Sequence, residues 1–188
     1  MNNIERKNII VFCICGKAGS GKGVVANKLK ESYTKKEYKV IISPYTKYLK
    51  KYASEILGEE ITENNKPRTF LQKFSKEVIK EKLGYKNFFI NRQLEDISIY
   101  QYYFDIIIIS DVRFPKEIEC IKDKGYKTIS IGVIRENYDN GLTDTEKKDI
   151  TETALDNYNK YDFIIKNDGK KDLTKEISGI IRKVDYNE

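Results

Sequence analysis

Apolar residues in this chain fall into two kinds of run. Unbroken ones, Ile9–Cys15 and Phe104–Ser110, predict strands buried on both faces, the second carrying four consecutive isoleucines, Ile106 to Ile109. Shorter runs at Tyr38–Ser43 (ended by Pro44), Thr128–Ile134 and Asp162–Lys166 predict three more strands. Between them apolar positions recur at helical spacing. Val25, Leu29 and Tyr33 follow the first strand; Leu71, Phe74 and Val78 follow Pro67; Ile90, Leu94 and Ile97 mark a helix from about Asn87. Ile118 and Ile121 lie in a helix opened by Pro115 and closed by Gly125, and Leu173, Ile177, Ile180 and Ile181 mark the closing helix. Such alternation predicts a mainly parallel, doubly wound α/β sheet with its ligand site at the carboxyl ends of the strands. Two stretches break the rhythm. Residues 44–103 insert helices between strands two and three, and residues 135–150, polar and glycine-containing, read as a mobile loop or short lid. One domain is expected, with its core in residues 1–43, 104–134 and 151–188.

The first strand runs into Gly16-Lys17-Ala18-Gly19-Ser20-Gly21-Lys22, and Gly23 and Val24 then open a helix. Buried strand, Gly-x-x-x-x-Gly-Lys and helix, in that order, make a phosphate-binding loop. Glycines let the backbone curl with its N–H groups inward, the helix N-terminus adds partial positive charge, and Lys22 brings a full charge to the outer phosphates of ATP. The position after the lysine usually carries a hydroxyl for Mg²⁺, and Gly23 carries none. Magnesium is therefore expected to rest on water, nucleotide oxygens and a carboxylate elsewhere. Asp111, at the end of the third strand, is that carboxylate, through metal-bound water, or else a cap for the helix at Pro115. Arg113 points from the same strand end toward the same crevice, or into a surface salt bridge.

Composition narrows the chemistry. The 188 residues include no histidine, which excludes His dyads, His-ligated zinc and imidazole switches. Hydrophobic residues at 39% with 34% charged describe a globular protein, and no stretch approaches the ~20 apolar residues of a membrane span. The first residues lack a secretory pattern and two of the three cysteines sit in the first strand, so a reducing, cytoplasmic setting is expected. A net charge of +6 suits polyanions. Its basic residues are spread along the chain without a nucleic-acid motif, which favours a small nucleotide over a nucleic acid as partner. Arginine is scarce beside lysine: Arg6 and Arg182 lie near the ends, whereas Arg68, Arg92, Arg113 and Arg135 are candidates for places where a planar fork matters.

Five segments together resemble the deoxynucleoside monophosphate kinases of bacteriophages and bacteria. They are the loop, Pro-Arg-Thr-Phe-Leu-Gln-Lys-Phe (67–74), Ser-Asp-Val-Arg-Phe-Pro-Lys-Glu (110–117), Glu-Thr-Ala-Leu-Asp (152–156) and Asp-Phe-Ile-Ile-Lys-Asn-Asp-Gly (162–169). The resemblance implies a P-loop NTPase fold: a five-stranded parallel sheet flanked by helices, a helical acceptor-binding insertion and a short lid. It implies transfer of the ATP γ-phosphoryl group to a deoxynucleoside monophosphate. Arg68, Gln72, Lys80, Arg92 and Arg113 would bind the acceptor, Arg135 would stabilise the transition state, and Asn167, Asp168 and Gly169 would contact adenine. The chain departs from the family at Ser75–Lys80, where a Gly-Thr-Glu-x-x-Arg segment is usual, and at Gly23-Val24. Alternatives are a P-loop kinase for another phosphorylated metabolite, of the phosphomevalonate or dephospho-coenzyme A type, or a nucleotide-binding protein without catalysis. A monomer or homodimer is expected.

Overall fold

In the computed structural model, which describes residues 4–62, 65–136 and 138–186, all five expected strands form and all pair in parallel. β1 (Ile10–Cys15) is central, flanked by β3 (Ile106–Val112) and β4 (Lys127–Ile134). β2 (Val40–Ile42) lies outside β3 and β5 (Phe163–Lys166) outside β4, giving the order β2-β3-β1-β4-β5. Every residue of β1 is buried, as a strand without polar alternation requires. On one face α1 (Lys22–Thr34) and α8 (Thr174–Tyr186) bring Leu29, Tyr33, Ile177 and Ile181 against Phe12, Ile14 and Ile108. On the other, α4 (Phe88–Tyr100) and α5 (Pro115–Asp123) bring Ile97, Ile118 and Ile121 against Val11, Cys13, Ile107 and Ile109. A third, smaller core lies within the insertion, where α2 (Lys47–Leu57) and α3 (Arg68–Lys73) meet around Leu49, Ala53 and Leu71.

Three features depart from the sequence pattern. β3 runs to Val112, so Asp111 lies inside the strand and not beyond it. The strand also carries a bulge: Cys13 pairs with Ile109 but Cys15 with Val112, so Ser110 and Asp111 together oppose Ile14. Regular alternation would set Asp111 on the face of Ile107 and Ile109; the bulge gives that place to Val112. Second, α3 does not end at Lys73 but widens into a π-helical stretch, Phe74–Lys82, in which the Leu83 N–H bonds to the Val78 carbonyl five residues back (3.0 Å). The wider turn rotates the following side chains, so Ile79 is buried and Val78, expected in the core, is only half-buried. Third, the 135–150 stretch contains structure. Thr143 and Glu146 form a reciprocal capping box that starts the short α6 (Asp144–Lys147), and Asp149 accepts the Thr151 N–H at 2.8 Å to start α7 (Ile150–Thr153). Leu142 is buried beneath it. No helix among the described residues is long and apolar enough to cross a membrane.

Candidate active site

The site begins with the turn from β1 into α1. Gly21 caps α1 at φ 99°, and a side chain there would strike the Asn167 amide, so this position requires glycine for both conformation and space. Lys22 folds back over the loop, its Nζ donating to the carbonyls of Gly16 and Lys17 at 2.7 Å each. Burial depresses its pKa to about 7; the Arg113 charge acts in the same direction, and Glu152 and Asp111 oppose it. Ser20 is buried within the same turn, its hydroxyl without a partner among the described residues. Lys17 leaves the loop outward and pairs with Asp156 at 2.7 Å. Gly23 and Val24 are exposed, and nothing lies within 4 Å of where a Gly23 side chain would begin.

Two carboxylates border this loop in different ways. Asp111, turned by the bulge, faces the loop after β2. Its Oδ1 accepts the Tyr45 N–H (2.7 Å), and its Oδ2 accepts the Thr46 N–H (3.1 Å) and hydroxyl (2.6 Å). It thereby anchors the start of α2, not the helix at Pro115. That helix is capped by Glu117, whose Oε2 accepts the N–H groups of Arg113 (2.7 Å) and Phe114 (3.0 Å). Burial raises Glu117 to about 7. The second carboxylate at the loop is Glu152 of α7, which opens the Glu-Thr-Ala-Leu-Asp segment and to which sequence alone assigns no role. It is buried, its Oε2 accepts the Ala18 N–H at 2.8 Å, and its Oε1 pairs with Arg113 Nη1 at 2.8 Å. A glutamate at the start of a short helix is ordinary in sequence, and only the fold gives it two partners far away in the chain.

The remaining candidates divide. Arg113 stands beside the loop: its Nη1 reaches Glu152 and the Thr151 carbonyl (3.4 Å), and its charge is felt at Lys22. Arg135, at the end of β4, donates to the Gly19 carbonyl at 3.4 Å and lies 4.5 Å from the Tyr138 ring centroid. Asn167 fastens the β5–α8 turn to the loop through Nδ2 to the Ser20 carbonyl (2.8 Å), while its Oδ1 accepts the Gly169 N–H (2.9 Å). Gly169, at φ 77°, lies flat against the Arg135 guanidinium, so any side chain there would displace it. Asp168 turns outward and accepts the Lys170 and Lys171 N–H groups. Lys80, delivered by the π-helical stretch, sits over the Phe114 ring at 5.4 Å beside Glu117. Gln72 is half-buried in α3. Arg68 is exposed, and its charge is felt at Glu146 of α6, which is held below the usual carboxylate range first by the Thr143 N–H and hydroxyl and also by Arg68. Arg92 joins a different group, stacking on Tyr48 at 4.7 Å and pairing with Glu95 at 2.8 Å.

Between the loop, the end of β4 and α7 lies a cavity of about 560 Å³, lined among others by Ser20, Arg113, Arg135, Tyr138 and Glu152. Its cations and aromatic rings suit an anion carrying a flat ring. The donors present fit magnesium only in a restricted way. Three hydrogen bonds take about three of the four acceptor directions of the Asp111 carboxylate, which leaves room for a water-mediated contact. Among the described residues no three or more His, Cys, Asp or Glu are grouped to hold a metal. That donor set fits an ion carried on nucleotide oxygens and water, the preference of Mg²⁺.

Solved structures with a similar fold include P-loop kinases. APS kinase of Mycobacterium tuberculosis, in complex with AMPPNP and APS, superimposes with a TM-score of 0.55 over 95% of this chain and 99% of its own, at 8% identity. Shikimate kinase of Aquifex aeolicus gives a TM-score of 0.50 over 95% of this chain and 98% of its own, at 15% identity. Shikimate kinase of Acinetobacter baumannii, in complex with shikimate, gives 0.50 over 96% and 94%, at 10% identity. The chain therefore has the five-stranded parallel fold of P-loop kinases. No protein-family model matches the sequence, and no curated protein matches it.

Proposed function

We propose that this chain is an ATP-dependent kinase whose acceptor is a deoxynucleoside 5′-monophosphate, converted to the diphosphate with release of ADP. The observation that carries the reading is the position of Arg113. An arginine from the end of β3 reaches the phosphate loop through a shared carboxylate, next to the loop lysine. Two cationic groups side by side suit two phosphate-bearing partners, one on the loop and one on the arginine. The carboxylates point the same way. Asp111 and Glu152 each commit both oxygens to hydrogen-bonding or ion-pair partners, which suits them to hold the shape of the site more than to take a proton from an acceptor. An acceptor phosphate with its second pKa near 6 is already dianionic at neutral pH and needs no base.

In this reading the loop amides and Lys22 hold the ATP phosphates, and the Asn167–Gly169 turn borders adenine. Arg113, with Lys80, Gln72 and Arg68 along the insertion, holds the acceptor. Arg135 faces the transferring group from the lid side. Asp111 would hold magnesium through water, and the ion would supply neutralisation of phosphate charge when bound with ATP. Arg92, engaged with Tyr48 and Glu95, has the weakest claim to an acceptor role.

The test is a coupled ADP-release screen with ATP and Mg²⁺. It covers the four deoxynucleoside monophosphates, their ribose counterparts, phosphomevalonate and dephospho-coenzyme A. Turnover with at least one deoxynucleoside monophosphate, well above that with the two metabolites, is expected. Turnover confined to a metabolite, or ATP binding without any turnover, would replace the reading with one of its alternatives.

A further inference from the structure

We propose that Glu152 is a positioning residue that sets Arg113 for the acceptor phosphate and ties its placement to the phosphate loop, an inference that rests on the function proposed above. The two oxygens of this buried carboxylate divide their partners, Oε2 taking the Ala18 N–H at 2.8 Å and Oε1 taking Arg113 Nη1 at 2.8 Å. The loop end of one binding site and the side chain of the other thus hang on one rigid group. Among the described residues both contacts of the Arg113 side chain run through Nη1, to Glu152 and to the Thr151 carbonyl. The edge formed by Nε and Nη2 has no partner among the described residues, and Arg113 lines the cavity beside the loop. Guanidinium binds phosphate best with such a two-donor edge, and it does so when its plane is already held. α7 supplies both holding groups from consecutive residues, Thr151 and Glu152, and Asp149 fixes the start of that helix through the Thr151 N–H. The Glu152 charge also acts on Lys22 against that of Arg113, so it offsets the repulsion between the two cations.

The opposite role, a carboxylate that occupies the anion position and must be displaced, predicts the opposite sign. Glu152→Gln keeps the shape and the acceptor for Ala18 but removes the charge that orients Arg113. In a positioning role it weakens phosphate binding; as a displaced competitor it would strengthen it.

The experiment titrates inorganic phosphate into ADP-saturated protein by calorimetry, and so does not depend on turnover. The wild type, Glu152→Gln, Arg113→Ala and the double variant are compared. The expected result is phosphate binding weakened about tenfold or more by either single change, with the double variant no worse than Arg113→Ala, and ADP affinity changed less than about threefold. In the ADP-release assay Glu152→Gln then raises the acceptor KM and lowers kcat together, by up to about 100-fold in kcat/KM, while the ATP KM stays near wild type. Glu152→Asp keeps the charge on a shorter stem and gives the same reading if the Gln variant does not fold. Additive losses, tighter phosphate binding in Glu152→Gln, or no phosphate binding by the ADP-saturated wild type would each overturn the assignment. If phosphate binding behaves as expected while no nucleoside monophosphate is turned over, Glu152 keeps its role and the substrate reading fails.

Discussion

The phosphate loop and the groups proposed to take the acceptor beside it are assembled by different means. In the loop the shaping is local: Gly16 to Lys22 lie in one turn, Lys22 bonds carbonyls five and six residues away, and glycine conformations set the curl, which Glu152 and Asn167 then fasten from outside. Around it the side-chain contacts are long-range. Arg113 follows β3, Glu152 comes from α7, Lys80 from the π-helical stretch and Asp111 from a bulge, and each meets a partner remote in sequence. A local motif tolerates distant changes because its geometry is carried by its own backbone. A site built from long-range ion pairs transmits a change at any one member to the others.

The hardest blow to this contrast is Lys22→Ala. It should lower kcat/KM by about 1,000-fold or more while the thermal midpoint stays near wild type, since a buried lysine held at a depressed pKa adds little to stability. Turnover near normal would mean the loop is not the phosphate site. Arg113→Ala should cost about 100-fold, expressed in the acceptor KM and kcat with the ATP KM little changed. A change confined to the ATP KM would erase the division between the two sides.

A subtler separation comes from pH. Burial, and then the Arg113 charge, push the pKa of Lys22 down to about 7. Triphosphate brings negative charge and raises it, so at pH 8, where ATP is already deprotonated, binding should take up protons. Affinity should therefore fall as pH rises above 7. Calorimetry in two buffers of different ionisation enthalpy reads the uptake, and Lys22→Ala should abolish it.

The smallest expected effect is Gly23→Ser. Open space surrounds that position and its backbone is helical, so stability should change by no more than about 0.5 kcal/mol. The added hydroxyl gives magnesium the loop contact it lacks, and the Mg²⁺ concentration for half-maximal activity should drop. No change in that requirement would mean the ion is held wholly by nucleotide and water.

The five strands, the helices at Lys22 and Pro115 and the phosphate loop are legible in the sequence because each is written in contiguous residues. Strands buried on both faces need unbroken apolar runs, and a phosphate cradle needs glycines at fixed spacing. Val78 is not legible as half-buried, because periodicity counts 3.6 residues per turn throughout and the wider π turn rotates the side chains out of that count. Asp111 reads from the sequence as lying beyond its strand, whereas the bulge in β3 turns it onto the backbone of Tyr45 and Thr46. Glu152 carries no signal of its role because its two partners, Ala18 and Arg113, are remote in sequence.

The chain by itself therefore determined that there is a sheet, that a loop at its centre is shaped for phosphates, and that histidine chemistry is absent. Only the tertiary structure decided which carboxylate meets which cation. Hydrophobic burial fixes the order and faces of the elements through patterns local to each, but an ion pair forms wherever packing happens to bring two side chains within about 3 Å. That distance is a property of the assembled fold, and no stretch of sequence contains it.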